Sequence, residues 1–543
     1  MSNGAPRTAA KNGATHIIAK TSTCGRTAWV ALCAAFLLLA LAFAAAAQTT
    51  PSTTTPPESS AAPESPASPA TKPTTKQKAP VKRAAPSPKP KAEPPDANKS
   101  DASRSAANKS AIAKKIPQKK KYQASTSKPA TVKAPKSPAV SAATRTEAVQ
   151  GVGEKLTAGA WVPVENPAAL VPFFEQLYKH QNGDLTGPLK LLQYGDSHTA
   201  ADDWTGDIRN HFQEMFGDGG SGYAFAGSPY RGYRRFDLRS GATKGWTTGG
   251  VIGHTGDGIH GLGGISISAQ APRESVYLSV ECQTFELYYL KQPGGGSLQI
   301  LDNGTPVDQV STEGEIAPGY YRYETEPGPH RFEVETLDKA PVRLFGWVAE
   351  KATGVTYEAL GINGVQASIM LGWNVDILRA NLEHRNPALI VLAYGTNEAG
   401  NTGWTVERYR TLYVQLLRRL RLAAPTATIL VLGPPDRYIH TRSGWTVLTG
   451  IDTIVEAQRQ AALGEGSAFW DMRAKMGGSG SMRQWVQAGM GSPDYVHFTT
   501  PGYRKIGDAV FRDLMSQYDI FVKAREALAS AHTGESLARH TNN

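Results

Sequence analysis

Three kinds of hydrophobic pattern succeed one another along the chain. From Thr27 to Ala47 the apolar residues are nearly unbroken, through Phe36-Leu37-Leu38-Leu39 to Ala44-Ala45-Ala46-Ala47. From Gln48 to about Gln150 branched and aromatic residues almost vanish among Ala, Pro, Ser, Thr and Lys. Beyond about Trp161, short apolar runs alternate with helical stripes. Leu189-Lys190-Leu191-Leu192-Gln193-Tyr194 predicts a strand running into Gly195-Asp196-Ser197-His198, and Trp204, Ile208, Phe212 and Met215 follow at helical spacing. The run 388–393 is apolar on both faces, as suits a strand inside a parallel sheet. Val406, Tyr409, Leu412, Leu416 and Leu420 then mark a helix, and Thr428-Ile429-Leu430-Val431-Leu432 a further buried strand. Strands alternating with helices predict a doubly wound α/β domain with a parallel sheet, whose ligands sit at the carboxyl ends of its strands.

Between Tyr230 and Lys351 the period changes. Arg331-Phe332-Glu333-Val334-Glu335 alternates polar and apolar side chains, and Asp302-Asn303-Gly304 is a strong hairpin signal. We expect an all-β sandwich inserted into the α/β domain, with most of its aromatics (Tyr288, Tyr289, Tyr320, Tyr321, Phe345, Trp347) used in its core. The expected organisation is thus an export segment or anchor over 1–47, a disordered linker over 48–150, α/β domain over 151–229 and 352–524, the β insert over 230–351, and a polar tail over 525–543.

Composition refines this picture in two places. The net charge of +11 invites a nucleic-acid partner, yet residues 1–150 carry all of the excess and residues 151–543 sum to −6. No nucleic-acid partner is expected. The basic residues Arg7, Lys11, Lys20 and Arg26 ahead of the apolar run, with small residues before Gln48, form an export signal. The same run is long enough to span a bilayer, so a cleaved signal and a membrane tether through residues 27–47 both remain open. Either places the folded part outside the cytoplasm, in the periplasm or cell envelope, secreted or tethered to the inner membrane. Cys282 is the one cysteine beyond the export segment, which excludes an intrachain disulfide and a cysteine-type zinc site there. The linker cannot bury enough apolar surface to offset its ordering entropy. It reads equally well as a spacer reaching across a cell wall and as a solvated tail.

The candidate chemistry lies in the loops after the strands. Ser197 follows the strand ending at Gly195, at the start of a helix whose dipole favours negative charge there. A serine needs an adjacent base, itself oriented by a third group. Asp494-Tyr495-Val496-His497 can supply both from one short loop, with His497 as base and Asp494 holding its tautomer. Asn397, in Tyr394-Gly395-Thr396-Asn397-Glu398, can donate to an oxyanion at the same rim. The N–H of Gly364, in Ile362-Asn363-Gly364, is a further donor, with Gly361 as its competitor, and the Ser197 N–H is a third. Each motif alone is weak; their joint placement carries the argument. No metal or organic cofactor is implied.

The four segments, Gly-Asp-Ser at 195–197, Ile-Asn-Gly at 362–364, Gly-Thr-Asn-Glu at 395–398 and Asp-x-x-His at 494–497, resemble the four blocks of the SGNH/GDSL hydrolases. The resemblance implies a flavodoxin-like α/β hydrolase with Ser197 as nucleophile, Asp494 and His497 completing a triad, and Ser197, Gly364 and Asn397 forming the oxyanion hole. His198, where many members have leucine, is then a wall or substrate contact. The inserted β module, with export and the long linker, is similar to bacterial peptidoglycan O-acetylesterases. That similarity implies hydrolysis of acetyl esters on a cell-wall glycan through an acyl-serine, with the Gly-rich segment 245–264, holding Trp246, His254 and His260, in the glycan cleft. The alternatives are an esterase or lipase for another acylated carbohydrate, an O-acetyltransferase, and a non-catalytic wall-binding protein.

Overall fold

A computed structural model describes residues 140–158 and 164–541, with side chains through residue 530. The export segment and the linker up to residue 139 lie outside the described residues. Among those described, no helix is long and apolar enough to cross a membrane.

Five parallel strands form the central sheet, in the spatial order Val355–Gly361, Leu189–Gly195, Leu389–Ala393, Thr428–Leu432, Ala468–Trp470. Numbered along the chain this is 2-1-3-4-5, the flavodoxin-like doubly wound order, with its switch point between Leu189–Gly195 and Leu389–Ala393. Leu389–Ala393 and Thr428–Leu432 are continuous apolar runs because both faces are covered. Leu192, Tyr194, Leu360, Ile390, Leu392, Ile429 and Val431 enter a core with the helices Val375–Arg385, Val406–Ala423 and Gly450–Gly464. Leu191, Tyr357, Leu389, Val391, Leu430 and Trp470 point the other way, to the helices Asp203–Phe216 and Thr500–Thr541. Local signals set the helix ends. Asn374 caps Val375–Arg385 by accepting the N–H groups of Asp376 and Ile377, each at 3.0 Å, and Asn386 closes it in the left-handed conformation at φ 48°.

The β region is one nine-stranded antiparallel sheet. Its long strand Ser275–Lys291 is bulged between Cys282 and Thr284. The first half pairs with Arg239–Ala242, the second with Val342–Glu350, and both with the twenty-residue strand Ala317–Thr336. One face closes on its own core of Leu278, Cys282, Phe285, Leu287, Phe332, Val334 and Trp347. Strands Ser297–Asp302 and Thr305–Ser311 meet at Asn303-Gly304, with φ of 50° and 79°, as a tight hairpin turn requires.

Four expectations are corrected. The linker does not stay unstructured to residue 150, because Ala142–Ala158 is a helix whose Ala148, Val152 and Leu156 are buried at four-residue spacing. The insert begins before Tyr230, because Gly222–Ala224 pairs with Val342–Glu350; three residues after a Gly-rich turn are too few to show a period. Residues 525–541 continue the helix Thr500–Thr541 rather than forming a tail, and Arg525 bonds Glu175 and lies over the Tyr178 ring. Met215 is 54% exposed, and Phe216, four residues after Phe212, takes the buried position.

Candidate active site

The strand Leu189–Gly195 delivers Ser197 to the carboxyl edge of the sheet at the switch point. There the backbone turns at once into a short helix, Ser197–Ala200, capped by Asp196 accepting the His198 N–H at 2.9 Å. That turn leaves no room for a side chain beneath it. A Cβ at Gly361, on the neighbouring strand, would come within 2.1 Å of the Ala200 nitrogen, so Gly361 serves close packing. Gly364 instead lies exposed at the rim with φ 75°, between Asn363, which lines the cleft, and Val365.

Ser197 Oγ lies 2.9 Å from His497 Nε2, and His497 Nδ1 lies 2.8 Å from Asp494 Oδ2. The loop carrying both residues folds on itself: Asp494 Oδ1 accepts the N–H groups of Val496 at 2.9 Å and His497 at 3.0 Å, and Tyr495 takes φ 58° between them. Partial burial acts upward on the Asp494 carboxyl. The hydrogen bonds from the His497 ring and the two N–H groups act downward and win, leaving it at about 2. It is therefore charged at neutral pH and can hold the proton on His497 Nδ1, so Nε2 faces Ser197 as an acceptor. The relay can draw the proton from the serine hydroxyl.

Asn397 reaches the same rim from the loop after Leu389–Ala393. Its Nδ2 donates to the Val365 carbonyl at 2.9 Å and lies 3.4 Å from Asp196 Oδ2. The first bond orients the amide; the second is at the limit of a hydrogen bond, leaving that proton available to a substrate oxygen. The Val365 carbonyl it bonds follows directly on Gly364, so the Asn397 amide is tied to the Gly364 loop.

Sequence reasoning did not find the supports of this arrangement. Asp196 is fully enclosed; desolvation pushes its carboxyl up to about 6 against the His198 N–H and Thr396 hydroxyl bonds. Glu398 is also enclosed and is pushed by burial up to about 7, while Oε1 accepts the Ala367 N–H at 2.7 Å and the Tyr409 hydroxyl at 2.8 Å. It thereby ties the Asn397 loop to the Gly364 segment. Arg437 donates to the Thr396 carbonyl at 2.7 Å. Gly232 and Arg234, from the segment entering the β region, line the open cleft of about 370 Å³ at Ser197. The chain-local signals for these were the positions of Asp196 within Gly-Asp-Ser and of Glu398 within Gly-Thr-Asn-Glu.

Three proposed contacts are corrected. His198 is 4% exposed, and Nδ1 lies 2.9 Å from the Tyr503 hydroxyl, so it backs the His497 ring (centroids 5.0 Å apart) and cannot meet substrate. Desolvation first, then the nearby His497, holds it well below the usual histidine range, so it stays neutral. Trp246 packs against the insert's core and does not line the cleft, because the strand Thr247–Gly249 that follows it continues that sheet. From the Gly-rich segment 245–264, Ile252 reaches the rim, its Cδ1 3.0 Å from where a Gly364 Cβ would stand. His260 is buried on Ser266 and the Thr255 carbonyl. Among the described residues, Asp207, His211 and Asp508 could hold a metal ion, with ligand atoms within 4.8 Å of one another.

The profile of the GDSL-like Lipase/Acylhydrolase family matches residues 330–505. Among solved structures, the chain is similar to a peptidoglycan O-acetylesterase, with 27% identity and a TM-score of 0.56 over 64% of this chain and 96% of that one. A family two carbohydrate esterase from Clostridium thermocellum, with bound cellohexaose, aligns at 11% identity and TM-score 0.24 over 46% of this chain and 94% of that one. A salicylyl-acyltransferase from a tetracycline biosynthetic pathway aligns at 12% and 0.24, over 52% and 98%. No curated protein matches the sequence.

Proposed function

We propose that this chain is an SGNH/GDSL esterase, a reading that the GDSL-like match and the fold support, and that it removes acetyl groups from a cell-envelope glycan, most specifically from O-acetylated peptidoglycan. The observation that carries the reading is the continuous hydrogen-bonded line Asp494–His497–Ser197 at the sheet's switch point. The structural likeness to a peptidoglycan O-acetylesterase supports the choice of glycan. The export segment, with its alternative of a membrane tether, supports action outside the cytoplasm.

In the proposed reaction His497 Nε2 takes the hydroxyl proton as Ser197 Oγ attacks the acetyl carbonyl. The N–H groups of Ser197 and Gly364 and the Asn397 amide stabilise the oxyanion. The tetrahedral adduct collapses, His497 returns the proton to the departing sugar oxygen, and an acetyl-serine remains. Water, activated by the same imidazole, attacks that ester and releases acetate. The His497 and Asp494 side chains are 38% and 50% exposed and the cleft at Ser197 is open, which gives water the access that hydrolysis needs.

The test is acetate release from O-acetylated peptidoglycan, acetylated xylan and a small chromogenic acetate, each repeated with Ser197→Ala. We expect peptidoglycan to be preferred and the variant to lose turnover by ~10⁴-fold or more. Serine-dependent release from the other esters alone would move the substrate. Acetyl transfer to sugar hydroxyls outpacing release would make the protein a transferase.

A further inference from the structure

The cleft at Ser197 does not end there. It shares Asp203 and Thr500 with a second cleft of about 690 Å³, which shares Phe236 and Asp237 with a third of about 610 Å³. The three adjoin along the seam between the helices Asp203–Phe216 and Thr500–Thr541 and the β region, reaching His330 and Lys351 at the far end. Each is of the size that holds a small ligand; in series they make a trough suited to a linear one.

Phe236 stands on the wall common to the second and third clefts, and its side chain is 62% exposed. One exposed phenylalanine is ordinary. The way this one is presented is not. Its N–H donates to Asp202 Oδ2 at 2.8 Å. Its neighbour Arg235 is fully buried and donates to the carbonyls of Ser221 at 2.6 Å and Tyr223 at 2.8 Å, and to Asp237 at 2.7 Å. Arg209, also buried, closes the network on Asp202 at 2.7 Å and on Asp237 at 3.3 Å. Two arginines and two aspartates therefore pin the residues on either side of Phe236. The chain bends at Phe236 and Asp237, and the ring lies outward over Gly206 of the facing helix.

We propose that this trough holds the polysaccharide strand that carries the acetyl group, with the Phe236 ring as a stacking platform for a sugar beyond the one at Ser197. The proposal rests on the reading of the substrate as a glycan ester. A pyranose presents axial C–H groups to an aromatic face and hydroxyls to polar side chains, and the trough offers both. Its charges are of mixed sign, Asp207 and Glu214 standing with Arg504 in the second cleft, which does not suit a polyphosphate strand.

The test separates binding from turnover. The full chain carrying Ser197→Ala is titrated calorimetrically with unacetylated glycan oligosaccharides of increasing length and with soluble peptidoglycan glycan strands. Affinity is expected to rise with length. Adding Phe236→Ala is expected to weaken the long strands by about ten-fold or more while affecting the disaccharide less, and Phe236→Trp to restore them. Affinity independent of length, or long-strand binding unchanged by Phe236→Ala, would overturn the proposal. If wild-type enzyme releases no acetate from any polymer while length-dependent binding persists, the proposed function fails and the trough stands.

Discussion

Asn397 is half-buried, with its Nδ2 held by the Val365 carbonyl at 2.9 Å and only weakly by Asp196 Oδ2 at 3.4 Å, a bond that a substrate oxygen can displace. Asn397→Ala is therefore expected to lower kcat on a small acetate ester by ~10²–10³-fold with little change in melting temperature. A loss confined to KM would remove Asn397 from the oxyanion site. Glu398 acts differently, as the tie between two loops. Its carboxyl is held at about 7 in the folded protein against an ordinary 4.5, so the folded state binds its proton more tightly than the unfolded one. The stability this contributes is full below 4.5 and is lost as pH rises through about 7, on the order of 1–3 kcal/mol. Melting curves across that window should show the decline, and Glu398→Gln should remove that component of it. At this scale the sequence was informative where chemistry is local to a loop. Asp494 and His497 stand three residues apart, and Ser197 and Asn397 each follow directly on a strand. Arg234 and Arg437 gave no such signal, because their place at the site comes from segments far away in the chain.

Among the elements, the strands Leu389–Ala393 and Thr428–Leu432 were legible because they are apolar on both faces, and the helix Val406–Ala423 because it carries a stripe, whereas the three-residue strand Ala468–Trp470 is too short to show a period. The helix Ala142–Ala158 was not, because its inward positions are few, small and set in a polar composition. It nevertheless belongs to the core that includes Met482 and Trp485. Val152→Asp, which buries an unpaired carboxylate there, is expected to cost ~3 kcal/mol or more and to lower the melting temperature measurably. An unchanged melting temperature would show that the helix is dispensable to that core. The strands of the β region were legible as a class, yet their division was not. A bulge at Cys282–Thr284 lets one long strand serve two sets of neighbours, and a bulge leaves no mark in a pattern of alternating residues.

Across the molecule, the insert and the parallel sheet share a core. Tyr223, Phe225, Tyr288 and Phe345 from the β region pack with Leu192, Tyr194 and Leu360 from the sheet. Buried Arg385 pairs at once with Glu350 of the β region, at 2.7 Å, and with Glu358 of the sheet. Separating the two parts would expose both the apolar face and the charges, so calorimetry is expected to record one unfolding transition for them. Two resolved transitions would show independent folding. By itself the sequence determined the α/β class, the inserted β region and the loops that carry Ser197, Gly364, Asn397, Asp494 and His497, because periodicity and strand-end position are properties of short stretches. Only the tertiary structure decided that His198 is a buried backing for His497, that Trp246 belongs to the insert's core, and that Arg234 and Phe236 border the clefts. Those outcomes depend on which distant segments pack together, and packing is set by the whole chain at once.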